Sequence, residues 1–179
     1  VPSMGGTVVL LEGTYNITNT IAVGSNGASS APTALVFTQG ANVSFASPTA
    51  NQPIISVQGW NCDVWNPTVT GSGSKGNGIG VQLGGTSNTV HGCTVYSPRI
   101  TNCNVAIDFG IVGTASSGDN QVLGGYISSC TTGIQARGFV NYAYAPFIIG
   151  CTKGILVSED RPNASFKVYG GTVLSCSVT

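Results

Sequence analysis

The sequence predicts an all-β solenoid in which short parallel strands coil around one long hydrophobic core. A cysteine returns after an aliphatic run at Cys103, Cys130, Cys151 and Cys176, at intervals of 27, 21 and 25 residues. In the first three copies a small residue and an Ile follow at fixed distance, as Cys-x-x-(Gly/Ala)-Ile. Repeats of this length built from short β-branched runs are typical of stacked coils, because each unit buries its apolar face only on its neighbours.

The composition is that of one folded domain with an uncharged polar surface. Of 179 residues, 41% are hydrophobic and only 7% are charged, and the formal net charge is zero. The chain therefore lacks the basic patch that nucleic acid binding requires, and no apolar stretch approaches the roughly 18 residues of a membrane span. We expect residues 1–179 to form a single domain, and we expect it to be a segment of a longer protein because it starts without Met and stops within a repeat.

Short apolar runs separated by polar loops predict the strands of the N-terminal half. The runs lie at 7–11, 15–23, 34–37, 43–45, 54–57, 60–65 and 68–69. The run 7–11 is contiguous and predicts a short buried strand, whereas 15–23 alternates apolar and polar residues, which is the pattern of a strand with one buried face. Loops rich in Gly, Ser, Asn and Pro separate them at 24–32, 46–53 and 71–78.

From residue 78 onward, equivalent positions can be aligned. The step from a small residue to Ile recurs at 78–79, 106–107, 133–134 and 154–155. A second pattern, x-x-Val-x-Gly-(Gly/Cys)-x-(Val/Ile), aligns 88–95 with 120–127 and 166–173, and it places His91 level with Leu123 and Tyr169 on an outward, solvated position. One coil then contains three short strands, and about six to seven coils fit in the chain.

The repeat predicts two ladders in the core. One is formed by Cys103, Cys130, Cys151 and Cys176, and the other by Ile107, Ile134 and Ile155. Neighbouring coils lie about 4.8 Å apart, so we expect buried free thiols, with at least one disulfide as the alternative. No metal or other cofactor is expected, because the chain has no Cys-x-x-Cys pair and its one histidine lies outside the ladder.

The N-terminal run 5–17, Gly-Gly-Thr-Val-Val-Leu-Leu-Glu-Gly-Thr-Tyr-Asn-Ile, resembles the opening coil of the pectate-lyase-like superfamily, which runs Gly-Gly-Thr-Val-x-Leu-Pro-x-Gly-Thr-Tyr-x-Ile. With its sparse charge and its Gly-, Ser-, Thr- and Asn-rich loops, the chain resembles phage tail spike, tail fibre and appendage segments most. The resemblance implies a right-handed, single-stranded parallel β-helix. It also implies a homotrimer in the virion tail, contact with other tail proteins, and binding or cleavage of host surface glycans.

Three functions remain open on the sequence. The first is a structural and receptor-binding segment of a tail spike or fibre that recognises a host cell-surface polysaccharide or glycoconjugate. The second is a glycan-degrading hydrolase or lyase of the same fold, either secreted or acting as a spike depolymerase. The third is a microbial adhesin at the cell surface. A cleft with two carboxylates within about 10 Å would favour the enzyme.

The acidic residues do not suggest such a pair, so we expect no catalytic residue on this chain. Asp108 directly follows the Ile of its coil, and Gln135 and Leu156 hold the equivalent places, so it has no stacked acidic partner. Asp119 is explained by turn chemistry, and the Glu–Asp pair at 159–160 by a solvated loop.

Aromatic residues are the better candidates for glycan contact, because their faces offer apolar area at low entropic cost. Trp60 and Trp65 lie in one short segment. Tyr142 and Tyr144 are alternate residues and therefore share one face of a strand. We expect these four residues to divide between glycan contact and packing against a neighbouring subunit.

Overall fold

The computed structural model describes residues 5–27, 32–73, 77–84, 90–110, 117–138, 140–157 and 165–177. Within these ranges the chain forms strands and turns, with no helix. The strands are short, from two to seven residues, as expected for a chain that turns a corner after every few residues.

The strands are numbered in chain order. They are β1 Gly6–Leu10, β2 Gly13–Ile17, β3 Ile21–Gly27, β4 Thr33–Phe37, β5 Ala41–Phe45, β6 Pro53–Gly59, β7 Asp63–Trp65, β8 Thr68–Thr70, β9 Ile79–Leu83, β10 Val90–His91, β11 Thr94–Tyr96, β12 Arg99–Thr101, β13 Val105–Phe109, β14 Ser117–Gly118, β15 Asn120–Leu123, β16 Tyr126–Ser128, β17 Thr132–Ala136, β18 Asn141–Tyr144, β19 Phe147–Ile149, β20 Lys153–Val157, β21 Phe166–Tyr169 and β22 Thr172–Leu174.

Three parallel sheets run along the solenoid. Sheet A contains β1, β4, β7, β11, β15, β18 and β21, sheet B contains β2, β5, β8, β12, β16, β19 and β22, and sheet C contains β3, β6, β9, β13, β17 and β20. A small fourth sheet pairs β10 with β14. Each of the first six coils gives one strand to each large sheet, and the last described coil gives strands to sheets A and B only. Equivalent strands of neighbouring coils pair in parallel. The prediction of a parallel β-solenoid with three strands per coil is confirmed.

The core is one continuous stack of side chains, most of them aliphatic. In sheet A, Val64, Val95 and Val122 lie in register, and in sheet B the next column holds Ile100 and Ile127. All five are buried. Since the hydrogen bonds within each sheet stack equivalent positions on one another, the same residue type recurs from coil to coil, as in other buried parallel sheets.

Cysteines form a ladder at the turn from sheet B to sheet C. The backbone N–H of Cys103 donates to Sγ of Cys130 (3.5 Å), and the N–H of Cys151 donates to Sγ of Cys176 (3.2 Å). Each thiol also points at the carbonyl two residues earlier, as Cys130 does toward Ser128 (3.3 Å). The thiols thus pair backbone groups at the corner, where sheet hydrogen bonds are interrupted. All six cysteines are free.

The isoleucines lie beside this ladder on sheet C. Ile107 pairs in register with Ile134, and Ile134 with Ile155. Ile107 and Ile134 are fully buried. Ile155 and Cys176 are only half-buried, because the last described coils have a neighbour on one side only.

A second ladder, which the sequence analysis missed, occupies the turn from sheet C to sheet A. The N–H of Cys62 donates to Sγ of Cys93 (3.3 Å), and the N–H of Cys93 donates to Oδ1 of Asn120 (3.0 Å). The N–H of Asn120 then donates to Oδ1 of Asn141 (3.2 Å). Sulfur and amide oxygen accept the same backbone bond, so Asn replaces Cys in this column without interrupting it.

The alignment of residues 88–95 with 120–127 is wrong. Val95 pairs with Val122, and His91 pairs with Gly118 rather than with Leu123. The reason is that several corners use a left-handed residue: Gly92 (φ 67°) lies at the turn into sheet A, whereas Gly124 (φ 66°), which looks equivalent in the sequence, lies at the turn out of it. Non-glycine residues such as Ser97 also take this conformation, so glycine alone does not identify a corner.

Candidate functional site

A polar groove runs over the outward side of sheet C. It has a volume of about 590 Å³, and its floor comes from β6, β9, β13 and β17. At about 4.8 Å per coil, the three steps between these four strands make the groove about 14 Å long. The groove lies along the solenoid axis, because the equivalent positions that line it are stacked from coil to coil.

Two rows of side chains lie along the groove. One row is largely apolar, and the other carries hydroxyl, amide and carboxylate groups. The apolar row contains Pro53, Ile79, Val105 and Thr132, and the polar row contains Ser56, Gln82, Asp108 and Gln135. Within the polar row Asp108 lies in register with Gln135, as the sequence repeat predicted.

Asp108 is fully buried beneath the groove and has a basic partner. Arg137 donates from Nε to Oδ1 (3.2 Å) and from Nη2 to Oδ2 (3.0 Å), and Gln82 donates from Nε2 to Oδ2 (3.2 Å). The Arg137 side chain is 16% exposed, so it reaches the groove while the carboxylate does not. The pair is bidentate, the geometry that holds a guanidinium most firmly.

Burial raises the pKa of Asp108 to about 6, although Arg137 and Gln82 both act in the opposite direction. The loss of hydration thus outweighs the attraction of the arginine, which is common for ion pairs enclosed by protein. At neutral pH the carboxylate is still mostly ionised, and the pair contributes no net charge to the groove.

Amide and hydroxyl groups make up the accessible sides of the groove. Asn104 donates from Nδ2 to Oδ1 of Asn51 (3.2 Å), which ties together two parts of the rim. Gln58 donates from Nε2 to Oγ of Ser56 (3.2 Å), and Thr20 donates to the carbonyl of Pro53 (2.6 Å). These bonds fix the orientation of the lining side chains before any ligand is bound.

Aromatic residues cluster on the opposite side of the molecule, at the corner between sheets A and B. We call this surface the aromatic corner; it consists of Trp65, Tyr96, Tyr126, Tyr144, Phe147 and Tyr169. Each of its residues directly precedes or follows the two-residue turn that joins the sheets. Register places the rings of successive coils next to one another.

The rings of the aromatic corner stack on each other. Trp65 lies on Tyr96 with centroids 3.6 Å apart and planes 7° apart, and Tyr144 lies on Tyr169 at 4.9 Å and 11°. Such stacks cover the ring faces that a sugar would need, and they leave mainly ring edges for contact. The corner is therefore better suited to packing against another protein surface than to holding a sugar ring.

The other two predicted aromatic candidates lie elsewhere. Tyr142 is on the same outward face as Tyr144 (centroids 6.2 Å apart), with the Lys167 ammonium over its ring at 5.9 Å. Trp60 packs edge-on against His91 at 5.1 Å, near the turn from sheet C to sheet A. His91 is half-buried, so the outward position expected for it is only partly exposed. The structure brings Trp65, Tyr142 and Tyr144 to one side of the molecule and separates Trp60 from them.

The acidic residues outside the groove do not extend the site. Asp119 is exposed in a left-handed turn (φ 55°), as turn chemistry predicted. The pair at 159–160 lies outside the described residues. In the described part of the chain, no group of three or more His, Cys, Asp or Glu side chains could hold a metal ion. The same part contains no helix that could cross a membrane.

Comparisons with protein-family models, curated proteins and solved structures find no match to this chain. Parallel solenoids serve unrelated functions, so the fold does not by itself decide between binding and catalysis. The choice of function depends on the groove and the aromatic corner.

Proposed function

We propose that the chain is a structural and receptor-binding segment of a phage tail spike or tail fibre, and that it recognises a host cell-surface glycan. The observation that supports this most directly is the groove on sheet C, which is lined by amides and hydroxyls and runs along the solenoid. Glycans present hydroxyls on every side, and planar amides can donate to one hydroxyl and accept from its neighbour.

The scaffold suits such a role because the groove is built on strands. Each floor residue is held by sheet hydrogen bonds to the coils on either side. A ligand therefore meets side chains that are already ordered, and binding spends little free energy on arranging them.

Glycan cleavage is the less favoured alternative. Glycosidases of the common type need two carboxyl groups about 5 to 10 Å apart. In the described lining of the groove Asp108 is the one carboxylate, and it is buried and bound by Arg137. An enzymatic site in this groove would need a second acid from another subunit or from residues outside those described.

The proposed assembly is a homotrimer with parallel solenoid axes, located in the virion tail beside other tail proteins. The support for it is the aromatic corner, where Trp65 is 37% exposed and Tyr126 41%. The 49% exposure of Tyr169 reflects its place in the last described coil and is not counted. Aromatic residues are enriched in protein interfaces, and the rings of the aromatic corner expose apolar area that a partner would cover. A second and third copy of this chain are the occupants that we propose for it.

The experiment is a glycan-binding assay with the folded protein. We expect binding to polysaccharide from the host surface, weakened in Gln135→Ala and unchanged in Gln121→Ala, which removes an amide from sheet A instead. Folding of both variants is checked by far-UV circular dichroism. Absence of binding by the correctly folded protein to any surface polysaccharide of susceptible bacteria would count against the proposal.

A further inference from the structure

The groove offers a ligand mainly neutral hydrogen-bonding groups. Asn104, Gln58 and Gln135 are half-buried at its sides, and Asn51 is exposed at its rim. Each primary amide has two N–H donors and an acceptor oxygen in one plane. Four amides distributed over the coils therefore match a ligand that carries many alcohol groups.

The charges in the described lining cancel. Asp108 and Arg137 are its only charged residues, and they bind each other through two hydrogen bonds. An anionic sugar that reached Arg137 would also approach the carboxylate of Asp108, which lies 3.0 Å from the guanidinium. That repulsion removes most of the advantage that a free arginine would give to an acidic ligand.

The apolar row gives the groove a second property. Pro53, Ile79 and Val105 lie beside the polar row and along the same direction. A pyranose ring is itself two-sided, with C–H groups on its faces and hydroxyls around its edge. Of this row Pro53 is half-buried, whereas Ile79 and Val105 are only 1% and 5% exposed. A sugar ring therefore packs its C–H surface mainly on Pro53 while its hydroxyls meet the amides.

The geometry points to an uncharged oligosaccharide of a few sugar residues, lying along the solenoid axis, as the ligand of this groove. This inference rests on the proposed function and names the substrate class of the same site. Arg137 contacts the ligand from the side, and Asp108 is a positioning residue that holds Arg137 and Gln82 in place.

The test uses the folded protein and two sets of tetrasaccharides of matched length, one of neutral hexoses and one of hexuronic acids. Binding is measured by isothermal titration at pH 7.5 and at two salt concentrations. We expect at least one neutral tetrasaccharide to bind, with little dependence on salt because no net charge is neutralised. Gln135→Ala and Asn104→Ala should each weaken it about threefold to tenfold. Gln121→Ala should not.

The possible outcomes distinguish a failure of the neutral-ligand inference from a failure of the proposed glycan-binding function. Binding of hexuronic tetrasaccharides alone, weakening with salt, would overturn the neutral-ligand inference and leave glycan recognition intact. Binding that Gln135→Ala and Asn104→Ala leave unchanged would overturn the location in the groove. If neither set binds and whole host polysaccharide does not bind either, the proposed function fails together with the inference.

Discussion

At neutral pH, removing the carboxylate of the buried ion pair should raise the stability of the protein, whereas removing its arginine should lower it. Burial raises the pKa of Asp108 from 3.8 to about 6, even in the presence of Arg137. Two pKa units correspond to about 3 kcal/mol by which the folded protein disfavours the ionised carboxylate relative to the unfolded chain. Asp108→Asn keeps the shape of the side chain and removes that cost, and Arg137, which is partly exposed, can still turn toward water.

The pH dependence has a definite sign. Between about pH 4 and pH 6 the folded protein holds a proton on Asp108 that the unfolded chain has lost, so the stability of the wild type falls as the pH rises through this window. We expect Asp108→Asn to match the wild type near pH 4 and to be more stable at pH 7.5 by up to about 3 kcal/mol, or roughly 6 to 12 °C in Tm. Arg137→Met, in contrast, leaves a buried carboxylate unpaired and should destabilise by about 3 to 5 kcal/mol at pH 7.5.

Thermal unfolding followed by far-UV circular dichroism from pH 4 to pH 8 measures both effects. Asp119→Asn is the matched control, because it makes the same change at an exposed turn that Asn tolerates equally well. Its Tm should follow the wild type at every pH. If Asp108→Asn instead melts below the wild type at pH 7.5, the ion pair is net stabilising and the reasoning is refuted.

Two further predictions concern the ladders. Asn120→Ala removes the acceptor of the buried Cys93 N–H and should lower stability by about 1 to 3 kcal/mol in thermal unfolding. Asn120→Cys restores an acceptor and should lower stability less. Equal losses of stability in the two variants would argue against the hydrogen bond in the ladder. In the native protein a thiol reagent should modify Cys176 first, because it is half-buried whereas the other five thiols are buried. Rapid native modification of two or more thiols would contradict this packing.

The fold was predictable because its core repeats. The interval between cysteines and the Cys-x-x-(Gly/Ala)-Ile step report directly on the inward positions of successive coils, and the register of Ile107 with Ile134 follows from them. Exact strand limits were harder to obtain. The alternation over 15–23 predicts one strand, but residues 18–20 form a turn between β2 and β3. Alternating hydrophobicity continues across a tight corner, so it does not show where the strand ends.

The candidate site was much less predictable, because it depends on outward positions where no residue repeats. Arg137 lies two places after Gln135, the register partner of Asp108, so the sequence did contain the signal for the ion pair. Finding it required the coil alignment to be used for outward side chains as well as for the core. A related reason explains why the sequence analysis missed three tyrosines of the aromatic corner, Tyr96, Tyr126 and Tyr169. They flank the turn from sheet A to sheet B, whose left-handed residue is Asn, Ser, Ala or Gly, so no single residue type marks that turn.

The aromatic corner and the groove should function independently, because the fold places them on opposite sides. A coil of three strands has a triangular outline, and the corner between sheets A and B faces away from sheet C. Subunits packed through this corner would leave three grooves on the outside of the trimer, where one glycan surface can engage several of them. Tyr126→Lys adds a charge to the corner and should convert the proposed trimer to monomers in light scattering after size-exclusion chromatography. Thr14→Lys, on an exposed part of sheet B, should not. The monomeric variant should bind a soluble tetrasaccharide as the wild type does and bind immobilised polysaccharide far less tightly. A loss of tetrasaccharide binding in a folded Tyr126→Lys monomer would show instead that the ligand lies at the corner or between subunits.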